Sequence, residues 1–255
     1  MPASAKPATT AGAAAVMSDS ADFVRARAAA ARVWRYRYEM ELEAAERFRR
    51  LAGELASVGT SEAVVGMARR ASNDELRHAA RCLDLVVHFG GKAGSPQLRD
   101  ARRVAPRALD ERERLLYEVV ALSCVTETLS TALLGVLVAR AQDSVTKNVL
   151  HSILRDEVNH SRLGWAFLAE EHARGARDCV SEWLSAMLNS TLSDELFAAP
   201  SEPSAIDRTL AGFGSLERAE RQRIVRETLH AVVFPGLERF GIDTHRGRAW
   251  LEEKR

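Results

Sequence analysis

Asp74-Glu75-Leu76-Arg77-His78 and Asp156-Glu157-Val158-Asn159-His160 are two copies of one short pattern, each set inside an otherwise apolar helical stripe. A Glu and a His three positions apart on a helix point the same way. A carboxylate buried there is strongly unfavourable unless it is protonated, paired or bound to a cation. A metal ion shared by the two motifs is the simplest partner.

The motifs need helices that bring them to one level, and the hydrophobic spacing supplies four. From Ala21 to Ser57 the chain reads as one long helix with the stripe Trp34, Tyr38, Glu41, Ala45, Phe48, Ala52, Leu55, the alternating four-three spacing of a bundle seam. Gly59 breaks it and Ser61 is the expected N-cap of a second helix running to about Phe89, with the seam Val64, Ala68, Ala71, Glu75, His78, Cys82, Leu85, Phe89. Gly90-Gly91 is a natural stop, and the stretch from Gly91 to Asp110, with Gly94, Pro96 and Pro106, suits a long crossover between two antiparallel pairs. The third helix, about Glu111 to Ala141, has the seam Leu116, Val120, Cys124, Glu127, Thr131, Leu134, Val138, in which Glu127 is the one charge. The fourth carries Leu150, Ile153, Glu157, His160, Gly164 and Phe167, to about Glu171.

Each seam therefore has an acid at mid-height: Glu41, Glu75 with His78, Glu127, and Glu157 with His160. Four carboxylates balance two divalent ions and leave coordination positions open. Oxygen and imidazole donors suit two Fe ions, with Mn or a mixed Mn/Fe pair as the other choices. Glu39, Glu43 and Glu46 fall off the seam and read as solvated, and the competing account has Arg77 and Arg155 neutralising the buried acids. Asp74 and Asp156, each just before a motif Glu, are positioned to accept a hydrogen bond from the distal nitrogen of the opposite His, or else to sit as ordinary surface acids. Thr131 is a candidate for catalytic hydrogen bonding, against the common role of a helical Thr that bonds the carbonyl four residues back. Cys82, Cys124 and Gly164 are candidates for a substrate pocket; close helix packing explains Gly164 equally well.

The expected fold class is all-α: residues 1–20 a disordered tail, 21–172 a four-helix bundle with an N-terminal helical extension, and 173–255 additional C-terminal helices packed on the bundle. Among the latter, Asp178 to Leu196 reads as a fifth helix, the segment with Pro200 and Pro203 as a loop, and Leu216 to Phe240 as a helix disturbed at Pro235. The net charge of +1, from 36 basic and 35 acidic residues, gives no footprint for nucleic acid or an anionic membrane. No apolar run of spanning length and no signal peptide are expected, so the reading is cytoplasmic. Three cysteines without a CxxC pair, Cys82, Cys124 and Cys179, read as reduced thiols and exclude a rubredoxin-type iron site; no haem is expected.

Two Glu-x-x-His helices with two single-Glu partners make residues 30 to 172 resemble the ferritin-like superfamily of carboxylate-bridged di-iron proteins. That resemblance implies O2 chemistry at the metals. The DExxH form is similar to that of di-iron N-oxygenases acting on aryl amines, but Ile153 stands where those enzymes carry a third His, and His151 points off the seam. The function implied is therefore a non-haem di-iron oxidase or oxygenase using O2, a small-molecule substrate and an external electron donor, in a form compatible with a homodimer. The alternatives are a ferroxidase or iron-handling protein and a rubrerythrin-like peroxidase, the last weakened by the lack of a CxxC module.

Overall fold

The computed structural model describes residues 21–97, 103–175, 179–199 and 204–254. The expected tail, the Pro200 and Pro203 loop and the middle of the crossover lie outside the described residues. All regular structure among the described residues is helical, and the expected all-α ferritin-like bundle is the fold observed.

Four long helices form the bundle: α1 (Ala21–Ser57), α2 (Glu62–His88), α3 (Glu111–Arg140) and α4 (Ser144–Ala173). Their ends follow the expected chemistry. Gly59, at φ +73°, takes the left-handed conformation that ends α1, and Gly90, at φ +87°, does the same for α2. The Ser61 hydroxyl accepts from the Val64 amide at the start of α2, and Asp143 accepts from Thr146 at the start of α4. Asp110 and Glu113 form a capping box on α3.

The buried residues fall into two apolar clusters. One contains Phe48, Ala71, Val125, Leu163 and Phe167; the other contains Trp34, Cys82, Leu134, Leu150 and Ile153. Along every helix the motif acid lies between members of the two clusters. The bundle is thus two hydrophobic cores with one polar layer between them.

Three features depart from expectation. First, α3 is not regular: Val120–Glu127 is a π-helical segment ending on Glu127. Such segments widen a helix by one residue, and the Thr126 hydroxyl bonds the Ala121 carbonyl five residues back, at 2.9 Å. Second, α3 is long and apolar enough by length and composition to cross a membrane, with a window of mean hydropathy 1.7, although no run of that kind was expected. Slightly over half of that window, 56%, is buried inside the bundle, which is the environment its side chains fill. Third, the expected fifth helix is broken into a 3₁₀ turn (Ser181–Trp183), α5 (Leu184–Thr191) and another 3₁₀ turn (Asp194–Phe197), because Leu192 turns extended and the Ser193 hydroxyl caps a new start.

The chain then forms α6 (Ala205–Gly212), α7 (Arg218–Thr228), a π segment (Leu229–Val233), α8 (Phe234–Glu238) and α9 (His245–Glu253). The irregularity expected at Pro235 is this π segment, which lies just before the residue that has no N–H to give. Leu184, Leu188, Phe234 and Leu251 join the Phe48 core, while Phe213, Leu216 and Ile224 pack with the Trp34 core.

Candidate metal centre

The polar layer holds two groups of four donors whose ligating atoms lie within 4.8 Å of one another: Glu41, Glu75, His78, Glu157, and Glu75, Glu127, Glu157, His160. Both groups could hold a metal ion, and they share Glu75 and Glu157. The sharing is resolved atom by atom. Glu75 places Oε2 3.2 Å from His78 Nδ1 and Oε1 3.0 Å from His160 Nδ1. Glu157 places Oε1 3.7 Å from His78 Nδ1 and Oε2 3.2 Å from His160 Nδ1. Each of these carboxylates therefore faces both imidazoles, one oxygen to each, as a bridging carboxylate must. Glu41 completes the His78 group, with Oε2 3.7 Å from Nδ1, and Glu127 completes the other.

Whether these donors suit a cation is decided by two atoms. His160 Nδ1 and Glu157 Oε2 are buried and make no hydrogen bond, although they are 3.2 Å apart. A donor and an acceptor at that distance would normally bond; here they converge without the angle a hydrogen bond requires. Atoms aimed at a common point in this way fit a cation, which takes lone pairs from both.

Outside the layer, Asp156 Oδ2 lies 3.3 Å from His78 Nε2 and Asp74 Oδ2 lies 3.3 Å from His160 Nε2, each across to the other motif. An Nε2–H donated to Asp leaves the lone pair on Nδ1, facing the layer. Arg77 contacts both aspartates and Arg155 contacts Asp156, and both arginines are exposed. The competing account, in which these bases neutralise the buried acids, is therefore corrected: they sit on the outer carboxylates.

Without a metal, protons must balance the charge. Burial alone would lower the His78 pKa, but hydrogen bonds and charge from Glu41 and Glu75 raise it to about 10. Burial opposes protonation of His160 too, and the Glu157 and Glu75 carboxylates raise it to about 11. Burial, followed by the charge of Glu157, pushes Glu127 well above the usual carboxylate range, and burial with the charge of Glu41 raises Glu75. For Asp156 burial is outweighed by the His78 hydrogen bond and charge, and its pKa is lowered.

The remaining sequence candidates fare differently. Thr131 gives its hydroxyl proton to the Glu127 carbonyl at 2.8 Å, so that proton is engaged in the helix. Gly164 opens no pocket, because a Cβ there would lie 2.6 Å from Cys124 Sγ and 2.8 Å from the Cys124 amide nitrogen. The missing side chain is the space into which the π segment fits. Cys124 and Cys82 are fully buried in the two cores, and burial raises both thiols well above their ordinary pKa. Glu43, expected to be solvated, is buried, with Arg47 Nη2 4.0 Å away; two positions from Glu41 it turns toward the π segment and helps line a cavity with Glu118 and Thr126. The π segment itself left no mark in the apolar spacing, although Gly164 opposite Cys124 is its trace.

No family model matches the chain, and no curated protein matches it in sequence. Among solved structures it is similar to a protein with aldehyde deformylating oxidase activity from Synechococcus, with a TM-score of 0.61 and 17% identity over 92% of this chain and 98% of that one. At that identity the likeness speaks for the fold.

Proposed function

We propose that the chain is a non-haem di-iron oxidase or oxygenase that uses O2 to oxidise a small organic substrate. The observation that carries this reading is the pair of four-donor groups sharing Glu75 and Glu157, with a buried nitrogen and oxygen left unbonded between them. The donors fit two cations in number and charge, and their oxygen-rich, thiolate-free character favours iron, with manganese second. Bound there, such ions supply redox-active, Lewis-acidic positions at which dioxygen is reduced.

Glu75 and Glu157 would be shared between the two ions, Glu41 and Glu127 would each serve one, and His78 and His160 would offer Nδ1. Asp156 and Asp74 hold the imidazoles in that tautomer by accepting from Nε2. Phe48, with its ring centroid 5.4 Å from that of His160, and the two apolar cores keep bulk water from the layer. The aldehyde deformylating oxidase activity of the Synechococcus protein accords with O2 chemistry in this fold, and at 17% identity its aldehyde substrate is not carried over to this chain. The helices after α4 add core at both ends of the layer, which an iron-storage bundle does not need.

The test is anaerobic loading with Fe(II), followed by O2 and a chemical reductant. Catalytic O2 consumption that continues after the loaded iron has turned over once supports an oxidase. Uptake that stops at one oxidation of the iron overturns it in favour of iron handling.

A further inference from the structure

One cavity has a lining that the metal chemistry leaves unexplained. About 430 Å³ in volume, it lies between α1, α3 and the start of α7, with Arg32, Arg37 and Arg221 set against Leu133, Leu137 and Leu216, and no carboxylate among the described residues lines it. Its volume is within the roughly 300–1,000 Å³ of small-molecule sites. Arg37 stacks over the Trp34 ring at 4.6 Å, and its Nη1 is buried with no hydrogen-bond partner among the described residues. Arg37 and Arg221 are close enough to repel, and burial with this repulsion lowers the pKa of Arg37. The groups that favour a charged Arg37 are Cys82, whose thiol burial holds protonated, and Glu41, one turn along α1 and about 6 Å along its axis. As a metal ligand, however, Glu41 gives its charge to the metal. Arg37, set in an apolar wall with Nη1 unpaired, calls for an anion from outside, and the exposed Arg32 and Arg221 stand beside it at the solvent side of the cavity.

We propose that this cavity binds the carboxylate end of an apolar organic acid, with Arg37 and Arg221 as its counter-charges and Leu133, Leu137 and Leu216 around its hydrocarbon body. The step from ligand to substrate rests on the metal-centre reading: the Arg37 end of the cavity is the end nearer Glu41, so the acid would present its carboxylate end toward the metal layer. Arg suits this role because its planar fork pairs with a carboxylate through two hydrogen bonds. Tyr36, also in the lining, adds a hydroxyl.

Octanoate and octan-1-ol, alike in chain and different in head, are the probes for calorimetric titration of the full-length protein. The acid is expected to bind about tenfold or more tightly than the alcohol, as a charge-assisted contact implies. R37L and R221L should each remove that preference while leaving weak binding of the alcohol. R221L, at the start of α7 and away from the Trp34 stack, carries the test if R37L does not fold. Equal binding of the two probes, no binding of octanoate, or octanoate affinity unchanged in folded R221L overturns the proposal. Iron measured in the same samples separates the two readings. Iron uptake without acid binding overturns the cavity alone, and acid binding without iron uptake supports the cavity and overturns the metal centre.

Discussion

Glu127 states the problem of this site most sharply: a carboxyl buried in the apolar middle of α3, beside Glu157, with its pKa pushed well up. Its burial is justified by a cation and by little else. E127A should therefore remove iron binding and leave a folded metal-free protein at least as stable as the parent, since truncation deletes a buried acid; metal analysis and thermal melting check both halves. The outer aspartates act through the imidazoles, so D74N and D156N should each weaken metal affinity by about 10- to 100-fold while preserving the fold, as read by competition with a chelator. The histidines set the pH dependence of the metal-free form. Their folded pKa values, about 10 for His78 and about 11 for His160, lie above the ordinary 6.5. The stability they contribute is fully present below about pH 6.5 and is lost as pH rises through those values. Metal-free protein should melt progressively lower from neutral pH to about pH 10–11, whereas iron-loaded protein should not follow that decline, because metal binding has already displaced the protons.

At the scale of elements, the six proposed ligands were legible because bundle seams have a fixed spacing and an acid on such a seam stands out against Phe48, Ala71, Leu134 and Leu150. The cross-motif aspartates were legible for the same reason, since DExxH on two facing helices puts each Asp near the other His. The π segment was not legible, because before Glu127 only Ser123 and Thr126 interrupt the apolar run from Val120, and one inserted residue in so apolar a stretch leaves no clear break in the pattern. Arg37 escaped notice because a single Arg in an Arg-rich helix looks solvated until α3 and α7 close over it. Gly164 makes the π segment testable. G164A places a methyl 2.6 Å from Cys124 Sγ and 2.8 Å from backbone, and overpacking of this kind costs about 1–3 kcal/mol. The variant should unfold at lower denaturant and bind iron more weakly, because the element displaced ends on Glu127; unchanged iron affinity would separate the π segment from the site.

Over the whole molecule, the polar layer holds together four helices that two separate cores would otherwise join. Metal binding to the folded state alone adds RT ln(1 + [L]/Kd), about 2.7 kcal/mol at a hundredfold excess over Kd, so chelation should lower the melting temperature of the entire bundle in one transition. The irregularity before Pro235 was legible, but the helix after Asp178 broke at Leu192, where sequence periodicity promised continuity, because the C-terminal elements are shaped by packing on the bundle rather than by their own pattern. That packing produces the cationic cavity beside the layer, so the part of the chain least readable in sequence is the part that shapes the proposed substrate site. The most direct test of the central claim is anomalous diffraction at the iron edge from Fe(II)-loaded crystals. Two peaks, each between one imidazole Nδ1 and the shared carboxylates of Glu75 and Glu157, are the predicted result; no peak in the layer, or iron held by other residues, would contradict it.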